Sequence, residues 1–145
     1  MLTKLRKKIW KFRSNLYLWS LRNLYKMDIG EDVIIAYSAR LDKSINPKGI
    51  RIGKETTIAR EAIILSHDLS REINLNTIIG ERCFIGVRAI ILPGITLGNE
   101  VIVGAGSIVT KSFPSNCIIA GNPAKIIKEN IHCRKYGKLQ QENKD

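Results

Sequence analysis

Aliphatic residues return every sixth position along much of this chain, and that spacing restricts the fold more than any other feature. The strongest run is Ile79, Ile85, Ile91, Leu97, Val103 and Val109. Two residues before the later members stand further small or apolar residues: Cys83, Ala89, Ile95, Val101 and Ser107. An earlier run holds Ile29, Ile35 and Leu41, and after an irregular patch at Asn46-Pro47 the pattern resumes at Ile52, Ile58 and Ile64. A period of six matches neither a helix at 3.6 nor long strands with separate turns. It fits short strands with a corner every six residues, the aliphatic pointing into a narrow interior. The next residue, usually small, is expected to take corner dihedrals closed to bulkier side chains. Three such faces close one coil of about 18 residues, and stacked coils pair as parallel strands. About four to five coils fit between Ile29 and Ser112.

Charge separates the first residues from the repeat. The chain of 145 residues has a net charge of +11. Residues 1–27 hold eight of the basic side chains (Lys4, Arg6, Lys7, Lys8, Lys11, Arg13, Arg22, Lys26) and no acidic one. Five of nine aromatics, including both tryptophans, are also there. This segment lacks Gly and Pro and reads as one helix, with Leu2, Leu5, Ile9, Phe12, Leu16 and Trp19 along one face. No apolar run is long enough for a membrane span, and no secretory signal is visible. Cys83, Cys117 and Cys133 are widely spaced, without zinc-ligand or disulfide patterns, which fits a reducing cytoplasm. No metal site is expected. Nucleic-acid binding would rest on charge alone, since no recognition motif accompanies it.

The repeat breaks between Ile64 and Ile79. The insert contains Ser66-His67-Asp68, and His67 is one of only two histidines, the other being His132 in the polar tail. A loop that interrupts a solenoid on one face is often its binding element. Downstream come Phe84-Ile85-Gly86-Val87, Gly104-Ala105-Gly106-Ser107-Ile108-Val109-Thr110-Lys111 and Ala120-Gly121-Asn122-Pro123-Ala124-Lys125-Ile126-Ile127-Lys128.

In this order the segments from Ile29 to Lys128 resemble the hexapeptide-repeat acyltransferases, and especially the capsule, lipopolysaccharide, maltose, galactoside and xenobiotic O-acetyltransferases. The resemblance implies an all-β solenoid: a left-handed parallel β-helix over 28–128 with a loop at 65–78. Residues 1–27 form a basic amphipathic helix before it, and a polar tail over 129–145, expected to be helical, follows. Handedness comes from the resemblance, not from the period.

The resemblance implies transfer of an acetyl group from acetyl-CoA to a hydroxyl of a sugar or surface-glycan precursor. His67 is the implied general base, and Val87 N–H the implied donor to the thioester oxygen. Ala105 and Thr110 match positions beside the pantetheine arm. Lys111, Lys125 and Lys128 match basic positions near the phosphates. Phe84 stands where many members have Trp, keeping an aromatic wall without the indole N–H. Asp68 is read either as orienting His67 or contacting sugar, or as capping the loop. With no Ser–His or Cys–His pairing, direct attack on the thioester is expected. The family implies a homotrimer with sites between subunits.

N-acetylation of an amino-sugar nucleotide and a non-catalytic hexapeptide-repeat binding protein are alternatives. A γ-class carbonic anhydrase needs three histidine ligands, and only two histidines are present. The N-terminal helix has two readings: packing against the prism or its partners, or peripheral contact with an anionic membrane through its lysines and Trp10, Phe12 and Trp19. The second would place a cytoplasmic enzyme at the inner face of the membrane.

Overall fold

The computed structural model describes residues 2–140. Helix α1, Leu2–Asn23, precedes a three-faced parallel β-helix. Face I stacks Asp28–Ile29, Ile50–Ile52, Thr77–Ile79 and Thr96–Leu97. Face II stacks Ile34–Ile35, Thr57–Ile58, Phe84–Ile85, Ile102–Val103 and Cys117–Gly121. Face III stacks Arg40–Leu41, Ile63–Ile64, Ile90–Ile91 and Ile108–Val109. Four coils are complete, and a fifth begins with Phe113 bridged to Leu97 and Cys117–Gly121 on face II.

The register follows the hexad. Ile79 pairs with Leu97, Ile85 with Val103 and Ile91 with Val109, each one 18-residue coil apart. The preceding coils are longer by insertions between faces III and I. Residues 42–49 and 65–76 both leave the prism at that III/I corner, one coil above the other. The repeated aliphatics fill the interior: Ile58, Ile64, Ile85, Ile91, Val103 and Val109 have no exposed surface. The residues two places earlier, among them Thr56, Ala62, Cys83, Ala89 and Val101, are buried beside them. The prism is narrow enough that two side chains per hexad fill it.

The corner glycines serve a different purpose from the one expected of them. Gly30, Gly53, Gly80 and Gly98 stack at the I/II corner, and a Cβ on Gly80 would lie 2.4 Å from the Gly98 carbonyl oxygen. A Cβ on Gly53 would lie 2.5 Å from the Gly80 carbonyl carbon. It is the backbone of the next coil that requires glycine here. The left-handed dihedrals fall two residues later, on Asp32, Glu55, Arg82 and Glu100, with φ between 50 and 58°. Polar side chains that reach solvent bear this conformation at modest cost.

Helix α1 closes the first coil. Leu21 is fully buried, Tyr17 and Leu18 are half-buried, and the Tyr17 hydroxyl donates to the Ala39 carbonyl at 2.9 Å. The Arg22 guanidinium donates to the carbonyls of Ile29 and Gly30. A solenoid end otherwise exposes core and unpaired backbone, so such a cap is required. Leu5, Ile9, Phe12, Leu16 and Trp19, expected to form one apolar face, do line one face, but it is exposed. No described helix is long and apolar enough to cross a membrane.

The expected helical tail is not found among the described residues. Ala124–Glu129 turns back antiparallel onto Cys117–Gly121 and covers the open edge of face II. Cys133–Arg134 and Lys138–Leu139 then form a hairpin, joined by a 3₁₀ turn at Lys135–Gly137, that lies across face II. Tyr136 N–H donates to the Glu55 carbonyl at 2.7 Å, and the Thr57 hydroxyl donates to the Tyr136 carbonyl at 3.1 Å. Gly137 sits so close that a Cβ would meet the Cys83 carbonyl oxygen at 2.6 Å. Backbone partners offered by earlier coils draw this segment into extended pairing. Phe84 lines the hollow beneath the hairpin, with Ile34, Ile102 and Tyr136.

Candidate active site

The two III/I insertions fold onto each other. Residues 67–68 and 73–74 pair as a small antiparallel hairpin, His67 opposite Asn74 and Asp68 opposite Ile73. Its base is tied to the insertion below. Asn46 Nδ2 donates to the Ser66 carbonyl at 2.9 Å, and the Ser66 hydroxyl lies 2.6 Å from the Asn46 carbonyl. Ser66 is fully buried.

Asp42 organises this junction. Its Oδ1 accepts from Ser44 N–H at 3.3 Å, the Ser44 hydroxyl at 3.2 Å and Ile45 N–H at 3.5 Å. Its Oδ2 accepts from Ser66 N–H at 3.4 Å, faces the Ser66 hydroxyl at 3.1 Å and contacts His67 Nδ1. Burial alone would raise the Asp42 pKa. The hydrogen bonds from His67, Ser66 and Ile45 outweigh it and hold the carboxyl below its ordinary range.

A carboxylate only accepts, so Asp42 fixes the His67 proton on Nδ1 and leaves the lone pair on Nε2. The His67 side chain is 15% exposed, enough to meet a ligand while its orientation is held. Asp68 does not orient the histidine. It accepts from Ser70 and Arg71 within the hairpin, and these bonds hold its carboxyl far below the usual range. The loop-capping reading of Asp68 is therefore the one the contacts match.

Sequence reasoning passed over Asp42, although a signal was present. In the other three coils the residue after the face III aliphatic is uncharged (Leu65, Leu92, Thr110), and at Leu41-Asp42 an acid takes that slot. A buried acid there needs partners, and the next coil supplies them.

The other expected residues fall on two corners. Val87 and Ala105 lie at the II/III corner, one coil apart, with Gly106 N–H donating to the Val87 carbonyl at 2.8 Å. A Cβ on Gly106 would meet nothing within 4 Å, and a Cβ on Gly104 would touch Ala120 at 2.8 Å. Lys125 is exposed and pairs with Ala120 in the edge hairpin, and Lys128 pairs with Ile118 in the same hairpin. Val87, Ala105, Ala120 and Lys125 thus ascend one corner, with small residues between the two ends. Thr110 and Lys111 lie at the III/I corner, on the side of His67. The Lys111 ammonium sits 5.5 Å from the Phe113 ring centre. Within one chain a whole face, the face III strands, lies between the III/I corner that carries the His67 insertion and the II/III corner that carries Val87.

The cysteines lie apart from His67. All three are buried, and burial pushes Cys83 up to about 12 and Cys133 up to about 11. Neither thiol is a poised nucleophile.

A family model described as "Hexapeptide repeat of succinyl-transferase" matches residues 76–111. A protein of Escherichia coli K12 named as a colanic acid biosynthesis acetyltransferase is 31% identical over 141 residues, covering 80% of this chain and 78% of its own. The galactoside O-acetyltransferase of Escherichia coli K12 is 32% identical over 108 residues, 72% of this chain but 45% of its own length. Among solved structures, a hexapeptide-repeat-containing acetyltransferase of Vibrio cholerae aligns with a TM-score of 0.62 at 19% identity, covering 81% of both chains. A maltose O-acetyltransferase of Clostridium difficile 630 aligns at 0.57 and 22% identity, covering 88% of both. These two likenesses speak for the fold alone. The hexad register, the looped histidine and the extent of the match to the colanic acid relative together place this chain in the hexapeptide-repeat acetyltransferase family, whose coils wind left-handed.

Proposed function

We propose that the chain transfers an acetyl group from acetyl-CoA to a hydroxyl of a sugar or surface-glycan precursor, with residues 28–128 as the transferase module. The observation that carries this reading is a partly exposed His67 with Nδ1 held by the buried Asp42, which leaves the Nε2 lone pair to act as a base. Relatives named for colanic acid, lipopolysaccharide and galactoside acetylation support a carbohydrate acceptor.

His67 Nε2 takes the proton of the acceptor hydroxyl as its oxygen bonds to the thioester carbonyl carbon. Asp42 stabilises the imidazolium that results. The Val87 N–H stabilises charge on the former carbonyl oxygen. As the carbon–sulfur bond breaks, the imidazolium returns its proton to the departing thiolate. No covalent enzyme intermediate is needed, in keeping with the unreactive cysteines.

The II/III corner suits the acyl donor. Its Ala105–Gly106 step leaves open surface along the backbone, where Ala105 would flank an extended arm, and Lys125 and Lys128 supply positive charge at the far end. Thr110 and Lys111 belong to the III/I corner with His67. Assembly of a cyclic trimer, III/I corner of one subunit against the II/III corner of the next, joins the two halves three times.

His67→Ala tests the proposal. Acetyl transfer to hydroxyl acceptors is expected to fall to background while acetyl-CoA binding, measured by calorimetry, persists. Retention of most of the transfer rate would remove His67 from the reaction.

A further inference from the structure

The exposed face of α1 has a specific geometry. At 100° per residue, the stripe Leu5, Ile9, Phe12, Leu16 and Trp19 centres nearly opposite the row Ser14, Tyr17, Leu18 and Leu21 that packs on the prism. The stripe runs about 21 Å along the helix. Its members are 50–68% exposed. Exposed lysines Lys4, Lys8 and Lys11 border it on one side, and Arg6 and Arg13 on the other. Arg13 also stacks on the Tyr37 ring at 3.9 Å. Residues 1–27 contain no carboxylate.

We infer that this face binds a lipid bilayer containing anionic lipid, with α1 lying in the interface plane and the prism on the aqueous side. Apolar side chains in the middle of the face enter the acyl boundary while cations on both shoulders meet headgroup phosphates. The charges favour this occupant over a second copy of the chain. Two such faces brought together would set lysine and arginine rows against each other with no acid nearby to offset them. Because the row of Ser14, Tyr17, Leu18 and Leu21, with Arg13 and Arg22, fixes α1 to the prism, the helix presents its stripe without unfolding anything.

The test is flotation of the full chain with vesicles of phosphatidylcholine alone, or with about one third phosphatidylglycerol. Wild type is expected to float with the anionic vesicles only, with blue-shifted tryptophan emission, and to be released by 0.5 M salt. A Lys4→Gln/Lys8→Gln/Lys11→Gln variant should partition about a hundredfold more weakly, roughly fivefold per lysine. Phe12→Ser/Leu16→Ser should lose at least about tenfold. All these positions are exposed, so far-UV circular dichroism of both variants should match wild type. Equal flotation on both vesicle types, or none, overturns the inference. So does an unchanged vesicle partition combined with a lower sedimentation mass of Phe12→Ser/Leu16→Ser, which would assign the face to contacts between copies. None of these readouts depends on transferase activity.

Discussion

Asp42→Asn separates the chemistry of the His67 junction from its architecture. Asparagine keeps the volume, and its carbonyl can still accept from Ser44 and Ile45 N–H, which reach Asp42 Oδ1 at 3.3 and 3.5 Å. Its amide then faces His67 Nδ1 and Ser66 N–H, so the one long bond from Ser66 N–H, at 3.4 Å, is given up. An amide N–H donates, so the imidazole must offer the Nδ1 lone pair and carry its proton on Nε2, the tautomer that cannot act as a base. The same substitution also removes the charge that stabilises the imidazolium. Loss of correct tautomer and charge together lowers kcat by about 10²–10⁴-fold, or about 2.7–5.5 kcal/mol, in related carboxylate–histidine arrangements. The expected result is that fall in kcat, with KM for acetyl-CoA and acceptor changed less than about threefold, because neither is bound by Asp42. The assay is steady-state thiol release with a saturating sugar acceptor, beside thermal melts. Asp42→Ala is the contrast. It strands the buried Ser66 N–H, at about 1–3 kcal/mol, and also removes the acceptor of Ser44 and Ile45 N–H, so it should lower stability as well. An Asn variant that keeps a third or more of wild-type kcat would refute the tautomer argument.

Three further outcomes are expected. Gly80→Ala places a methyl against the next coil's backbone and should cost on the order of 3 kcal/mol, seen as a melting temperature lower by about 10 °C, whereas Gly106→Ala, open but at φ 67°, should cost about 1 kcal/mol. Asp42 has a folded-state pKa held below its unfolded value of about 4, as does Glu100, where hydrogen bonds from Cys133 N–H and Arg82 override the effect of burial. Their stabilisation is therefore complete above pH about 5 and is lost as pH falls below about 4; in acid titrations of urea midpoints, Asp42→Asn should flatten that descent. Lys125→Ala should raise KM for acetyl-CoA about tenfold with kcat unchanged, and an unchanged KM would remove it from the phosphate site.

Much of the solenoid could be read from the hexad because each aliphatic has the same environment wherever it occurs. Ile85 and Val103 occupy equivalent places, so spacing alone predicts their pairing. His67 stood out as a candidate for the opposite reason: it sits where the repetition stops, between segments that resemble those of the family. Asp42 was not, because its contact with Ser66 and His67 depends on how two insertions of different length stack at one corner. The tail was misread because its partners are not local. Tyr136 pairs with Glu55 backbone, a contact that no periodicity within residues 129–140 encodes. The corner dihedrals were misassigned to glycine because sequence cannot distinguish a residue that needs positive φ from one that needs space. In α1 the apolar stripe was visible, but which face met the prism was decided by Leu21 and Tyr17, outside it.

The proposed reaction requires a site that joins His67 of one subunit to the Val87–Ala105 corner of its neighbour. Subunit mixing tests this directly. His67→Ala and Ala105→Trp chains, each inactive alone, are unfolded together in equal amounts and refolded. Random assembly gives each interface about one chance in four of pairing an intact histidine corner with an intact donor corner, so acetyl transfer should return to about a quarter of the wild-type rate refolded in parallel. Mixed trimers that form but show no transfer would contradict the shared site.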